Sequence, residues 1–161
     1  MEEAAGDLRE LQALAVAHPV PEVVGVTGLV EIRTLIALGD HDRARGQLEQ
    51  ASFTASESDD QELKLIIYGQ LAEMAAELGE IERAREWGRL SLALSVQGER
   101  VYSTVRTLLM LAEHAPSDEV AMLLHIAHLV PIDPKSQLAR RASEIRRAFA
   151  RDHARALEDV E

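Results

Sequence analysis

The chain has 161 residues, a net charge of −11 and an apolar fraction of 47%. These values indicate a folded domain and exclude a disordered polyelectrolyte. Cysteine is absent, which excludes disulfides, thiolate metal sites and a cysteine nucleophile. The acidic balance disfavours direct binding of nucleic acid, and no apolar run is long enough for a membrane span. We therefore expect a cytoplasmic protein without a membrane contact.

The first predicted helix covers residues 2–17, and the segment from His18 to Pro21 ends it. Its apolar residues recur at helical spacing, so that they share one face. These residues are Leu8, Leu11, Leu14 and Ala15.

An internal repeat follows. The segment from Leu38 to Arg45 recurs as Leu78 to Arg85, and most positions of the two copies are identical. The distance along the chain from Leu38 to Leu78 is the repeat period. Helical apolar periodicity precedes each copy, so Gly39 and Gly79 are predicted to end helices in the left-handed conformation. An acidic residue follows each glycine, where it suits the start of a second helix. Each repeat is thus predicted to be two helices joined by a very short turn.

A third, degenerate copy begins near Val101 and is broken at Ala115-Pro116. Ala121 is predicted to take the place that Ala84 has in the middle copy. The second helix of this copy is predicted to end near Val130, and one long helix is predicted for 135–158. The last helix carries an apolar stripe made of Leu138, Ala142, Ile145, Phe149 and Leu157. The whole chain is thus predicted to be eight helices without strand.

The repeat resembles the tetratricopeptide repeat (TPR) family over roughly residues 26–130. The middle copy carries the resemblance at the family's spacing, through Tyr68, Leu71, Ala72, Ala75, Gly79, Ala84 and Ser91. The resemblance implies an all-α, right-handed α-α superhelix with about three helix pairs, at 24–55, 60–97 and 99–130, in one domain spanning 1–161. The N-terminal helix and the capping helix 135–158 would flank the pairs. Repeats of this longer type are similar to those in bacterial transcription activators and signalling proteins.

The family implies a working surface on the first helix of each pair, which lines a concave groove. By the family's spacing, the groove would present nine residues: Leu29, Arg33, Ile36, Gly69, Glu73, Ala76, Arg106, Met110 and Glu113. This surface is apolar and acidic, so the expected partner is a protein or peptide with basic and apolar side chains. Lysine and asparagine are missing at the matching positions, which argues against capture of a C-terminal carboxylate.

Catalytic and metal chemistry are not predicted. The chain has no nucleophile elbow, phosphate-binding loop or dinucleotide fingerprint, so we expect no enzyme and no cofactor. His125 and His128 share a helix face, yet no carboxylate accompanies them in a metallopeptidase pattern, so we interpret them as interface residues. Residues 135–156 carry seven basic side chains against two acidic ones. We interpret this basic face as the solvated side of a capping helix.

The leading functional hypothesis is a non-catalytic module that recruits or senses a protein or peptide, as an arm of a bacterial regulatory protein. One alternative is a structural domain that self-associates through a terminal helix, giving a homodimer or a larger assembly. Another is a small-molecule sensor with a pocket near His125 and His128. The fold alone does not distinguish these three hypotheses, because one fold serves many functions.

Overall fold

The computed structural model describes the backbone of Ala13 and of residues 21–158, and the side chains of Ala13, 25–116 and 119–151. This part of the chain contains seven α-helices and no strand, which confirms the all-α prediction. The predicted helix 2–17 lies outside the described residues apart from Ala13. The helices are α1 (Pro21–Ala37), α2 (His41–Glu57), α3 (Gln61–Glu77), α4 (Ile81–Gln97), α5 (Val101–Glu113), α6 (Ser117–Leu129) and α7 (Gln137–Glu158).

The chain divides between Leu94 and Ser95 into two compact units. The first unit contains α1, α2 and α3, each packed on the other two, and most of α4. Its largest fully buried side chains come from three different helices: Ile32, Leu48, Ile67, Leu71 and Met74. Burial of each such side chain contributes about 1.5–3 kcal/mol, so the apolar faces of α1–α3 are the main source of stability in this unit.

The helices of the first two pairs keep one register. The first helix of each of the three pairs begins one repeat period after the one before, at Pro21, Gln61 and Val101. The four helices α1–α4 are all 17 residues long. Positions that differ by one period are therefore equivalent in α1 and α3, and likewise in α2 and α4. The repeat alanines Ala44 and Ala84 illustrate this, since both are fully buried.

The turns inside the first two pairs have the same hydrogen bonds. In the first, the Gly39 amide donates to the Ile36 carbonyl at 3.0 Å and the Asp40 amide donates to the Leu35 carbonyl at 3.0 Å. The second repeats this pattern around Gly79, and both glycines have a φ of 77°. This is the Schellman motif, in which a left-handed residue closes the helix and satisfies its last carbonyls. The predicted role of the two glycines is confirmed.

A third turn of the same type joins α4 to α5 without glycine at the left-handed position. The Glu99 amide donates to the Val96 carbonyl at 3.2 Å, and the Arg100 amide donates to the Ser95 carbonyl at 2.8 Å. Glu99 itself has a φ of 53°. A side chain with a Cβ is disfavoured in this region by about 1–2 kcal/mol, so this turn is strained where the other two are not.

An acidic side chain caps α2 as predicted, and another caps α3. Asp60 accepts hydrogen bonds from the amides of Glu62 (2.8 Å) and Leu63 (3.1 Å) at the start of α3. Asp40 caps α2 through the Arg43 amide at 3.5 Å. Such caps satisfy amides that have no partner within the helix, and each typically contributes about 1 kcal/mol.

The second unit contains α5, α6 and α7, which all pack on one another. Helices α5 and α6 have only 13 residues each, so both are about one turn shorter than their counterparts in the earlier pairs. The break comes at Pro116, after which α6 begins. In α6 the buried residue at the position of the repeat alanine is Val120, whereas Ala121 is exposed. The predicted equivalence of Ala121 is therefore wrong, because the shortened α5 moves the register.

Candidate binding surfaces

Equivalent stripes of α1 and α3 form one partly exposed surface in the first unit. Each stripe advances by three or four residues and therefore stays on one side of its helix. We call this surface the first-helix face, and it consists of Val26, Val30, Arg33 and Ala37 from α1 and Ile66, Gln70, Glu73 and Glu77 from α3. Val26 and Ile66 are equivalent positions, and they are 46% and 47% exposed.

Arg33 connects the two stripes. Its guanidinium lies 3.1 Å from the Glu77 carboxylate and 3.7 Å from the Glu73 carboxylate. It also donates a hydrogen bond of 3.1 Å to the Gln70 side-chain oxygen. These contacts show that α1 and α3 lie side by side at equivalent positions. The face thus has an apolar end at Val26 and Ile66 and a charged end, with two carboxylates against one guanidinium, two helical turns further on.

The groove residues predicted in the first two pairs occupy several environments. Arg33 and Glu73 belong to the first-helix face. Leu29 is buried, while Ile36 and Ala76 are half-buried. Gly69 faces α4, because a Cβ added there would lie 3.2 Å from the Ser91 hydroxyl oxygen.

The remaining predicted groove residues lie in the second unit. Met110 is buried, and Arg106 is half-buried. Glu113 forms a bidentate ion pair with Arg141 of α7, with distances of 2.8 Å and 2.5 Å. Paired guanidinium and carboxylate forks are geometrically specific, so this pair fixes the position of α7 against the end of α5.

The groove prediction missed six of the eight residues of this face: Val26, Val30, Ala37, Ile66, Gln70 and Glu77. The signal that finds them is the repeat period itself, because a shift by one period converts Val26 to Ile66 and Arg33 to Glu73. The family's spacing led instead to residues that lie beside these positions on the same helices.

Arginines of the first unit also form ion pairs near its turns. The Arg45 Nε atom lies 2.8 Å from the Glu80 carboxylate, so a residue of α2 contacts the turn between α3 and α4. Glu80 in turn pairs with Arg83 at 2.9 Å, and Arg83 pairs with Glu49 at 2.5 Å. This chain of ion pairs joins the two repeats at the end where their turns lie. Its members are partly exposed, so each pair contributes modestly to stability.

The pKa of one tyrosine in the first unit is raised. Tyr68 is buried in α3, and burial raises the pKa of its hydroxyl, with a smaller contribution from the negative charge of Glu86. Both effects disfavour the phenolate. Tyr68 is 7% exposed, and its ring belongs to the core packing of α3.

The second unit carries the basic surface that the sequence indicated. The apolar stripe of α7 is buried at Leu138 and Ala142 and half-buried at Ile145 and Phe149, while the side chain of Leu157 lies outside the described residues. Exposed arginines occupy the other side of the helix: Arg140, Arg146, Arg147 and Arg151. Part of this surface borders a cavity between α7, the end of α6 and the segment that joins them.

The two histidines of α6 are both exposed. His128 lines the cavity, and His125 does not. Among the residues that the structure describes, no group of three histidine, aspartate or glutamate side chains is arranged to hold a metal ion.

Comparison with protein-family models, with curated proteins and with solved structures finds no match to this chain. Within the described part of the chain, every helix is too short or too polar to cross a bilayer.

Proposed function

We propose that the protein is a non-catalytic, TPR-like module that binds a segment of another protein across the first-helix face. The observation that carries the proposal is that the equivalent residues Val26 of α1 and Ile66 of α3 are both about half exposed, on helices that pack against each other. Two neighbouring apolar side chains next to a charged cluster suit a segment that alternates apolar and charged residues.

The regularity of the first two helix pairs supports the TPR-like interpretation. The two complete pairs share helix length, register, buried alanines and a glycine-closed turn with the same hydrogen bonds. In helical-repeat proteins each pair packs on its neighbours, and the aligned first helices form an extended binding surface. The partner-recruiting arm of a regulatory protein is the kind of role that such a surface serves.

The chemistry of the partner follows from the charged end of the face. The Arg33 guanidinium contacts the carboxylates of both Glu73 and Glu77. A lysine or arginine of a bound segment would pair with the exposed Glu77 carboxylate beside Arg33. An apolar side chain about seven residues away in a helical segment aligned with α1 and α3 would then contact Val26 and Ile66. The proposed ligand is thus an amphipathic segment with basic residues.

The test is a peptide selection against the full chain, followed by affinity measurements on the enriched sequences. Ile66→Asp introduces a charge at the apolar end of the face. Phe53→Asp is the matched control, because Phe53 is an apolar residue of α2 that is 67% exposed and lies outside the face. We expect Ile66→Asp to weaken binding of the selected peptides at least tenfold, and Phe53→Asp to change it less than twofold.

The selected sequences provide a second readout. We expect them to be enriched in arginine or lysine next to leucine, isoleucine or phenylalanine. Equal losses in the two variants, or a selection dominated by acidic peptides, would contradict the proposed use of this face.

A further inference from the structure

A cavity of about 540 Å³ lies in the second unit. Three consecutive parts of the chain surround it: the last residues of α6, the connecting segment 130–134 and the first half of α7. This volume is within the range of sites that hold small organic molecules. All the parts that form it belong to one unit, so the cavity is complete within residues 127–147.

The floor of the cavity is apolar. Ala127 and Ala142 are buried beneath it, and Val130, Ile132 and Ala139 are half-buried around it. Small side chains on the two helices leave the space open, while the two prolines of the connecting segment limit the conformations of its backbone. A compact apolar group would be partly shielded from water in this space, which is open on one side.

The rim of the cavity is strongly basic. Arg140, Arg146 and Arg147 line it, against a single carboxylate, that of Glu144. The side chains of these three arginines form no ion pair or hydrogen bond with any residue that the structure describes. On the same helix, Arg141 forms its bidentate pair with Glu113. Within the described residues, the guanidinium groups at the cavity are thus available for a ligand, and the paired one serves helix packing.

We propose that this cavity binds a small organic anion: a carboxylate or phosphate group carried on a compact apolar body. Guanidinium groups bind the oxygens of either anion through pairs of parallel hydrogen bonds. The apolar floor would hold the body of the ligand, and the arginines would orient its charged end. This inference does not depend on the first-helix face, which lies in the other unit.

The experiment measures binding of three probes to the full chain by isothermal titration calorimetry at low salt. Octanoate and octyl phosphate carry the two anions, and 1-octanol carries the same chain without charge. We expect at least one anion to bind tenfold more tightly than octanol. A preference for octanoate identifies the ligand class as a carboxylate, and a preference for octyl phosphate identifies it as a phosphate ester.

Two variants locate the binding. Arg147→Glu should weaken binding of the preferred anion at least tenfold, whereas Arg151→Glu should change it less than twofold. Arg151 is the matched control, because it is an exposed arginine one turn further along α7 that does not line the cavity. Ala139→Phe fills the cavity without changing its charge, and it should also weaken binding at least tenfold. Circular dichroism of each variant checks that the helices are retained.

Three results would overturn the proposal. If octanol bound as tightly as the anions, the charge of the arginines would not contribute to binding. Equal losses in Arg147→Glu and Arg151→Glu would show attraction by the whole basic helix instead of a site. Binding of an oligoglutamate peptide without binding of either small anion would assign this surface to an acidic protein segment.

Discussion

Three arginines of the first unit differ in their contacts from most of the described arginines of α7. In the first unit Arg33, Arg45 and Arg83 each pair with a carboxylate of another helix or turn. In the second unit only Arg141 of the described α7 arginines has such a pair, and Arg140, Arg146, Arg147 and Arg151 extend from the helix without one. The difference follows the local composition, because residues 135–156 carry seven basic side chains against two acidic ones.

The same contrast holds for the backbone. The first unit repeats helices of equal length with glycine turns, whereas the second has shortened helices and a proline break. In the first unit propensity, register and charge agree at the turns and in the core, and these residues stabilise the fold. A departure from the repeat can create a second kind of site that the regular pairs do not form. The cavity lies in such a departure, at the end of the shortened pair.

The largest expected effect is loss of core packing in the regular unit. Ile67 is 1% exposed and Ile66 is 47% exposed, so these adjacent isoleucines of α3 form a matched pair. Ile67→Ala should lower the free energy of unfolding by about 2–5 kcal/mol, because it leaves a cavity in the core. Ile66→Ala should cost less than about 1 kcal/mol. Urea denaturation of both variants checks this, and similar losses would show that the side of α3 facing the core has been misassigned.

The turns give the next largest effects, with opposite signs. Gly79→Ala should cost about 1–2 kcal/mol, because alanine is disfavoured at a φ of 77°. Glu99→Gly should raise the free energy of unfolding by about 0.5–1 kcal/mol, since glycine relieves the strain at a φ of 53° but adds freedom to the unfolded chain. Thermal and urea denaturation measure both changes. A destabilised Glu99→Gly variant would contradict the strained conformation of this turn.

Paired and unpaired arginines should differ by a smaller amount. Arg45→Ala removes the contact with Glu80 and should cost about 0.5–1 kcal/mol. Arg140→Ala removes no pair with a described residue, so it should change the free energy of unfolding by less than about 0.3 kcal/mol. The Arg45 effect should also shrink in high salt, because the pair is partly exposed. Equal costs for the two substitutions would remove the distinction drawn between the units.

Alkaline pH should produce the smallest effect. The pKa of Tyr68 is raised in the folded state, so above pH 10 the unfolded chain loses this proton more readily and gains stability relative to the fold. Stability should therefore fall as the pH rises past this value, and Tyr68→Phe should reduce the fall. Urea midpoints of the wild type and the variant at pH 8 and pH 11 measure the difference. An unchanged slope would assign the alkaline loss to other groups.

Local sequence signals predicted the helices and their ends well. Glycine, proline and capping aspartate act within a few residues, so Gly39, Gly79, Asp60 and Pro116 mark boundaries without knowledge of the tertiary structure. Two statements remain predictions: that the helix pairs stack into a right-handed superhelix, and that the whole chain forms one domain.

The candidate surfaces were harder to predict, because they depend on which helices lie side by side. The sequence indicates that Arg33 and Glu73 are equivalent, but their ion pair requires α1 and α3 to be neighbours. In the third pair the prediction chose Ala121, because its residue type matches that of the repeat alanine. The buried residue at the equivalent position of the helix is Val120. The cavity at α7 depends on a connecting segment without periodicity, so no sequence pattern indicated its shape.

The most direct test of the central claim is a map of amide chemical shifts by nuclear magnetic resonance while a selected peptide is added to the full chain. The account predicts that the largest changes occur along the first-helix face, at positions 26–37 of α1 and 66–77 of α3. Changes concentrated instead at residues 127–147 would contradict it, and they would assign recognition of protein segments to the basic surface of the second unit.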